Sequence, residues 1–64
     1  MNYYIALINQ YGEDWGLMFS TDYDFIKRAF EALAPPAGCI AELRETEEDI
    51  DTHLHYEVLD TIEG

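Results

Sequence analysis

The strongest constraint on this chain is where its negative charge lies. Nine of its fourteen carboxylates fall within residues 35–64, where Arg44 is the one basic side chain, so nine negatives against one positive leave about −8. The first 34 residues carry about −3. Because like charges repel, this distribution destabilises a compact state while it improves solubility. Any fold of this chain has to tolerate strong repulsion in its C-terminal half.

The composition nevertheless predicts one folded domain over residues 1–64. The chain is 48% hydrophobic and 14% aromatic, whereas disordered acidic segments are poor in aromatic residues. A chain of this length buries only about 60% of its unfolded surface, so we expect marginal stability unless a partner or a second copy contributes. The single cysteine, Cys39, cannot form an internal disulfide, which fits a reducing compartment.

The N-terminal third has the pattern of a β-hairpin. Residues 3–8 form a short β-branched and aromatic run, and residues 9–14 contain the Asn, Gly and Asp that favour turns. In residues 15–20 the larger side chains of Trp15, Leu17 and Phe19 alternate with the others. Period two predicts a half-buried strand with these three side chains on one face.

An amphipathic helix is predicted next. Thr21 or Asp22 is a suitable N-cap, and acidic residues follow in the first turn, where the helix dipole favours them. Apolar residues then recur at helical spacing and form one stripe: Phe25, Ile26, Ala29, Phe30 and Leu33. The prolines at positions 35 and 36 end this helix.

The C-terminal half predicts two more strands. Period-two alternation covers residues 39–45 and again residues 53–60, and the acidic segment 46–52 connects them. The order of elements is therefore strand, strand, helix, strand, strand. We expect an α+β domain in which the helix packs on one face of an antiparallel sheet.

The acidic segment 42–51 is the main candidate for function. Side chains two apart on an extended strand share a face and lie about 6.6 to 6.8 Å apart, which resembles the spacing of phosphates along a nucleic-acid strand. Carboxylates also give Arg a bidentate partner. We expect partner-binding carboxylates at Glu42, Glu45, Glu47, Glu48, Asp49 and Asp51, with Glu13, Asp14 and Glu57 as a second patch. The alternative is a solvated loop and sheet face.

Metal binding and catalysis find less support in the sequence. The acidic segment lacks the glycine and the ligand pattern of the known twelve-residue Ca²⁺ loop. His53 and His55 lie two apart with Glu57 beside them, but a second pair of ligands is not evident. Cys39 has no obvious catalytic base. We therefore expect no catalytic residue, no metal, no cofactor and no enzymatic activity.

The aromatic residues divide into two groups. Large apolar rings predict a core made of Trp15, Phe19, Phe25 and Phe30. The tyrosines at positions 3, 4, 11 and 23 are too many to be buried in so small a domain. Exposed tyrosines next to acidic residues are typical of interface anchors.

The charge also limits the class of partner. Phosphate backbones and anionic membranes attract Lys and Arg, so a chain of net charge −11 is not expected to bind nucleic acid or membrane directly. Apolar runs of about 20 residues and a signal peptide are lacking, which predicts a cytoplasmic protein. A basic partner is the expected complement.

In size, charge and absence of catalytic motifs, the chain resembles the small acidic phage-encoded inhibitors of bacterial defence, the anti-CRISPR proteins. The resemblance lies in acidic runs such as residues 45–51 (ETEEDID) and 11–14 (YGED), and it does not carry over individual residues. It implies a DNA mimic in the bacterial cytoplasm that occupies the positively charged DNA-binding site of a CRISPR effector, with a type I surveillance complex preferred.

Two other interpretations remain open. An immunity-type inhibitor of a nuclease toxin would also be acidic. Alternatively, the chain forms a homodimer or small homo-oligomer through an exposed strand edge containing Tyr3 and Tyr4, and its charge only ensures solubility.

Overall fold

The computed structural model describes residues 2–47 and 55–64, which form a four-stranded antiparallel sheet with a helix packed against it. The elements are β1 (Asn2–Ile8), β2 (Asp14–Ser20), α1 (Tyr23–Glu31), β3 (Ile40–Thr46) and β4 (Glu57–Glu63). The strand order across the sheet is β2-β1-β3-β4, so β1 and β3 are central and β2 and β4 are edges. The predicted α+β fold and the predicted order of elements are confirmed.

The turn between β1 and β2 is organised by Asn9. Its side-chain Oδ1 accepts hydrogen bonds from the backbone N–H groups of Tyr11 and Glu13, each at 2.9 Å. Gly12 has a φ of 82°, which glycine adopts without steric cost. The turn residues predicted from the sequence therefore close the hairpin within the five residues 9–13.

Helix α1 begins as the sequence predicted. The side chain of Asp22 is the N-cap and accepts a hydrogen bond from the backbone N–H of Phe25 at 3.2 Å. Helical geometry ends at Glu31, ahead of Pro35. Of the predicted apolar stripe, Ile26 and Phe30 are buried against the sheet.

The two faces of the sheet differ in what covers them. Side chains of directly paired residues in neighbouring strands point to the same face. The face covered by α1, here called the helix face, includes the row Met18, Ile5, Leu43 and Asp60 across the four strands. The opposite face, here called the open face, includes the row Phe19, Tyr4, Arg44 and Val58.

The main core lies between α1 and the helix face. Its fully buried members come from β1, α1 and β3: Ile5, Ile26, Phe30, Ala41 and Leu43. Partly buried apolar side chains surround them: Tyr3, Leu7, Met18, Ala29, Leu33 and Ile62.

Both edge strands contain a β-bulge. Pairing with β1 skips Leu17, and pairing with β3 skips Leu59, so each edge strand has one extra residue. The bulge at Leu17 places Trp15 on the helix face opposite Leu7, and Phe19 on the open face opposite Tyr4. The prediction that Trp15, Leu17 and Phe19 share one face is therefore wrong.

Of the four aromatic residues predicted as core, Phe30 alone is buried. Trp15, Phe19 and Phe25 are 47%, 44% and 55% exposed. Trp15 lies on an edge strand and Phe19 on the open face, and Phe25 of α1 is not part of the core cluster. Of the four tyrosines predicted to be too many for complete burial, Tyr4 is 1% exposed, whereas Tyr11 and Tyr23 are 78% and 40% exposed.

Two further expectations about strands need correction. The last strand, predicted at residues 53–60, is β4 (Glu57–Glu63), paired with β3 from Glu45 to Ile40. His55 and Tyr56 precede the strand, and residues 53 and 54 lie outside the described residues. The strand that contains Tyr3 and Tyr4 is central and paired on both sides. An edge formed by these tyrosines therefore does not exist.

Candidate functional site

The topology gathers carboxylates at one end of the domain. The last row of the helix face consists of Ser20, Tyr3, Glu45 and Glu57, one from each strand. Helix α1 starts next to this row, where the backbone N–H of Asp22 donates to Ser20 Oγ at 2.9 Å. We call this region the acidic end and define it by Asp22, Asp24, Glu45, Glu47 and Glu57.

Within the acidic end, Glu45 and Glu57 are direct cross-strand partners on the same face. Like charges placed directly opposite each other destabilise a strand pair. Glu47 joins them around a cleft of about 290 Å³, which Thr46, His55 and Tyr56 complete. The lining of this cleft contains three carboxylates and no Lys or Arg.

Aromatic residues border the acidic end. The rings of Tyr3 and Tyr23 meet edge to face with centroids 5.3 Å apart. Tyr23 stays 40% exposed and lies between Asp22 and Asp24 in sequence. Tyr23 therefore has the surroundings expected of an interface anchor. Tyr11 is 78% exposed but lies in the β1–β2 turn, at the other end of the sheet.

Ion pairs among the described residues occupy two of the three basic side chains. Lys27 Nζ lies 3.0 Å from Asp60 Oδ2 at the solvent-exposed surface. The hydrogen bond lowers the pKa of Asp60 and raises the pKa of Lys27. Arg44 Nη2 lies 2.8 Å from Asp14 Oδ2 and 2.6 Å from Glu42 Oε1. Glu42, predicted as a phosphate mimic, and Asp14, predicted in the second patch, thus share an internal counter-charge.

Arg44 is the centre of a compact cluster on the open face. It is 3% exposed, and its guanidinium carbon lies 4.2 Å from the ring centroid of Tyr56 and 5.6 Å from that of Tyr4. Burial by itself lowers the pKa of Arg44, but its hydrogen bonds to Asp14 and Glu42 outweigh burial and raise the pKa. The guanidinium therefore remains charged inside the fold.

Tyr4 is buried beneath two other rings in this cluster. Its centroid lies 5.8 Å from that of Phe19 and 6.3 Å from that of Tyr56. Burial raises the pKa of the Tyr4 hydroxyl, although Arg44 opposes the change. Phe19 lies over Gly16, where an added Cβ would approach Phe19 Cζ to 2.6 Å. The cluster leaves a cleft of about 240 Å³ between Tyr4 and Tyr56.

The structure brings together some of the predicted partner-binding residues and separates others. Glu45, Glu47 and Glu57 meet at the acidic end. Glu13 and Asp14 lie at the start of β2, at the opposite end of the sheet, so their grouping with Glu57 is wrong. Three predicted carboxylates lie outside the described residues: Glu48, Asp49 and Asp51.

The histidine pair is only partly described. His53 lies outside the described residues, and His55 precedes β4 and is exposed. Within residues 2–47 and 55–64, no group of three or more His, Cys, Asp or Glu side chains is arranged to hold a metal ion.

Sequence reasoning did not predict the Arg44 cluster. It also did not predict that Asp22 and Asp24, at the start of α1, belong to the acidic end. An arginine inside an acidic strand, two residues from Glu42, was the available signal for the cluster. The part played by Asp14 depends on strand pairing across β1 and has no signal in local sequence. Asp22 and Asp24 were interpreted through the helix dipole, and only the topology places them near Glu45.

Comparison with protein-family models, with curated proteins and with solved structures found no match. None of the helices in the described part of the chain has the length and the apolar character needed to cross a membrane.

Proposed function

We propose that the protein is a non-enzymatic inhibitor that occupies the basic nucleic-acid-binding site of another protein, with the acidic end as its contact surface. The observation that supports this most is the pairing of Glu45 with Glu57 beside Glu47, in a cleft without Lys or Arg. Holding like charges opposite each other is unfavourable for the free protein. A receptor that supplies Arg and Lys removes this cost when it binds.

The distribution of basic residues strengthens the proposal. Arg44, the one basic residue of the C-terminal half, is buried on the open face and forms ion pairs with Asp14 and Glu42. Lys27 is paired with Asp60 on the side of α1 that faces β4. The ion pairs of Arg44 and Lys27 therefore do not involve a carboxylate of the acidic end, and an arginine of a partner can bind such a carboxylate through two parallel hydrogen bonds.

The grouping of carboxylates at the acidic end suits a site built for nucleic acid. Glu45 lies in β3 and Glu47 follows the strand directly, and both line the same cleft. Glu57 extends the charged surface onto the neighbouring strand. The exposed ring of Tyr23 supplies an apolar contact at the border. In this proposal a bacterial CRISPR effector, such as a type I surveillance complex, is the first receptor to test.

The test is a competition experiment with charge reversal. An electrophoretic mobility assay measures DNA binding by the purified receptor in the presence of wild-type protein, the Glu45→Lys/Glu57→Lys variant, or the matched Glu31→Lys/Glu63→Lys variant. Both variants change the net charge by the same amount, but Glu31 and Glu63 lie at the other end of the domain. We expect wild type and control to exclude DNA, and the acidic-end variant to be at least about tenfold weaker.

Three results would contradict the proposal. The first is that DNA and the inhibitor bind the receptor together with undiminished DNA affinity. The second is that the two variants lose activity equally, which would show that net charge alone matters. The third is inhibition that does not change with salt, because exposed charge pairs weaken as the Debye length falls from about 10 Å at 0.1 M to about 3 Å at 1 M. Recovery of a single nuclease from a bacterial lysate, in place of a CRISPR complex, would favour the immunity-type inhibitor.

A further inference from the structure

The open face exposes a band of apolar side chains. Phe19, Tyr56 and Val58 are 44%, 45% and 42% exposed, and Leu17 at the neighbouring bulge is 48% exposed. The rings of Phe19 and Tyr56 lie against the buried Tyr4. Within the described residues, α1 contacts β1, β2 and β3 from the helix face, so this band is not covered by the helix.

The open face is also poor in unpaired charge. Two of its carboxylates, Asp14 and Glu42, are bonded to Arg44. Asp14 and Glu63 lie on opposite edge strands in the outermost row of this face, which also contains Ile8 and Ile40. Glu45 and Glu57 point to the helix side of the sheet. Although the chain has a net charge of −11, most of its unpaired carboxylates therefore lie away from the apolar band of the open face.

The size of this face fits a stable interface between two small domains. The molecule measures 30 × 24 × 15 Å, so no face of it exceeds 30 by 24 Å. Two faces of at most 30 by 24 Å bury at most about 1,400 Å² together. Stable protein interfaces bury about 1,200 to 2,000 Å², so the face is large enough only if most of it is used.

Pairing through strand edges is less suitable. Exposed edges can pair with another chain through their free backbone groups, but bulges bend an edge strand and interrupt its ladder. Both edges of this sheet have such a bulge, at Leu17 in β2 and at Leu59 in β4. The geometry therefore favours contact through the face over contact through an edge.

We propose that the open face is the interface of a homodimer, in which two copies of this chain pack sheet against sheet around a two-fold axis. Such an interface is self-complementary, and packed sheets lie about 10 Å apart. Phe19, Tyr56 and Val58 of each copy then become buried. The helices and the acidic ends remain on the outside, where solvent and counterions screen their charge.

This arrangement predicts an unusual response to salt. Each copy carries −11, so long-range repulsion opposes association at low ionic strength. Salt shortens the Debye length from about 10 Å at 0.1 M to about 3 Å at 1 M, and dimerisation therefore strengthens. Receptor binding through the acidic end responds in the opposite direction, so the two proposals can fail separately.

Sedimentation equilibrium tests the dimer, with protein from about 5 to about 500 µM and a series of NaCl concentrations. We expect masses that rise from 7.4 kDa towards twice that value, and a dimer that tightens with salt. Phe19→Glu and Val58→Glu, which place a charge in the interface, should each weaken the dimer by about 30-fold or more. Phe25→Glu, at a similarly exposed ring on α1, should leave it unchanged.

Circular dichroism establishes that each variant is folded. Phe19 also covers Tyr4, so if Phe19→Glu unfolds the domain, Val58→Glu at a more peripheral position gives the answer. A wild-type protein that remains at 7.4 kDa throughout the concentration and salt series would overturn the proposal. So would a dimer that both open-face variants leave intact, or that Phe25→Glu weakens to the same degree.

Discussion

On the helix face, Ile26 and Phe30 of α1 cover a layer of aliphatic side chains, whereas on the open face two aromatic rings and an ion-paired arginine cover the buried Tyr4. The first arrangement needs a whole helix and leaves its central residues at 0% to 1% exposure. The second uses side chains of the sheet itself and leaves Phe19 and Tyr56 almost half exposed.

This difference shows how the two faces of a sheet can be covered in a 64-residue chain that has a single helix in its described part. A helix of nine residues is about 13 Å long and can cover only one face. The apolar side chains of the other face must be covered in another way, or that face must be polar. Here Arg44 provides part of that cover, because its planar group stacks on Tyr56 while its nitrogens bind Asp14 and Glu42.

The largest effect is expected from Phe30→Ala on the helix face. Removing a buried phenylalanine costs about 3 to 5 kcal/mol, and a chain of this size has a total stability of only about 3 to 10 kcal/mol. We expect a protein that is largely unfolded at 37 °C, as measured by circular dichroism during urea and thermal denaturation. Phe25→Ala, at a ring that is 55% exposed, should cost less than about 1 kcal/mol.

Equal losses from Phe30→Ala and Phe25→Ala would break the comparison, because they would show that burial under α1 does not dominate stability. If Phe30→Ala is too unstable to measure, Phe30→Leu keeps much of the volume and gives a transition that can be fitted.

An intermediate effect is expected from Arg44→Met on the open face. The change leaves Asp14 and Glu42 without their counter-charge. Breaking a fully buried pair costs about 3 to 5 kcal/mol, but these carboxylates are 43% and 18% exposed and can be hydrated, so we expect about 2 kcal/mol in urea denaturation.

The double variant Arg44→Met/Glu42→Gln sharpens this prediction. If unpaired carboxylates cause the loss, removing one of them should restore part of the stability. A double variant that is no more stable than Arg44→Met would assign the loss to the missing contacts with the rings of Tyr4 and Tyr56.

The smallest effect is expected from Asp60→Asn, at the exposed pair that joins α1 to β4. The pKa of Asp60 is lowered, so its contribution to stability is complete above the ordinary value of 3.8 and is lost as the pH falls through the lowered pKa. The pKa of Lys27 is raised, so its contribution is lost only as the pH rises through that raised value. Between these limits the variant should be slightly less stable than wild type.

NMR titration of the Asp60 carboxyl measures this effect directly. We expect its pKa to move back towards the ordinary value in a Lys27→Met variant, and the difference to shrink with added salt. A pKa of Asp60 that does not respond to Lys27→Met would show that the backbone N–H of Thr61 alone causes the shift.

Much of the fold could be predicted because its signals are local. The Asn9 and Gly12 turn, the Asp22 cap and the prolines after α1 each act within a few residues of sequence. The bulges could not be predicted in this way. Leu17 and Leu59 reverse the alternation of their strands through pairing with distant residues, so the faces of Trp15 and Phe19 follow from the register alone.

The candidate site was predictable to a smaller extent. The acidic run 42–51 correctly drew attention to Glu45 and Glu47, which lie near each other at the end of β3. The proximity of Glu57 to this pair depends on the β3–β4 register, and the neutralisation of Asp14 depends on a contact between residues thirty positions apart. Local charge density carries no information about either.

The compact β1–β2 turn also has a consequence for the order of folding. Pairing β1 with β2 closes a loop of five residues, whereas pairing Ile8 of β1 with Ile40 of β3 closes a loop of 31 residues. The ratio of these lengths corresponds to about 1.6 kcal/mol of additional closure entropy. We therefore expect the hairpin held by Asn9 to form first, on a microsecond timescale, and the pairing of β3 with β1 to follow more slowly.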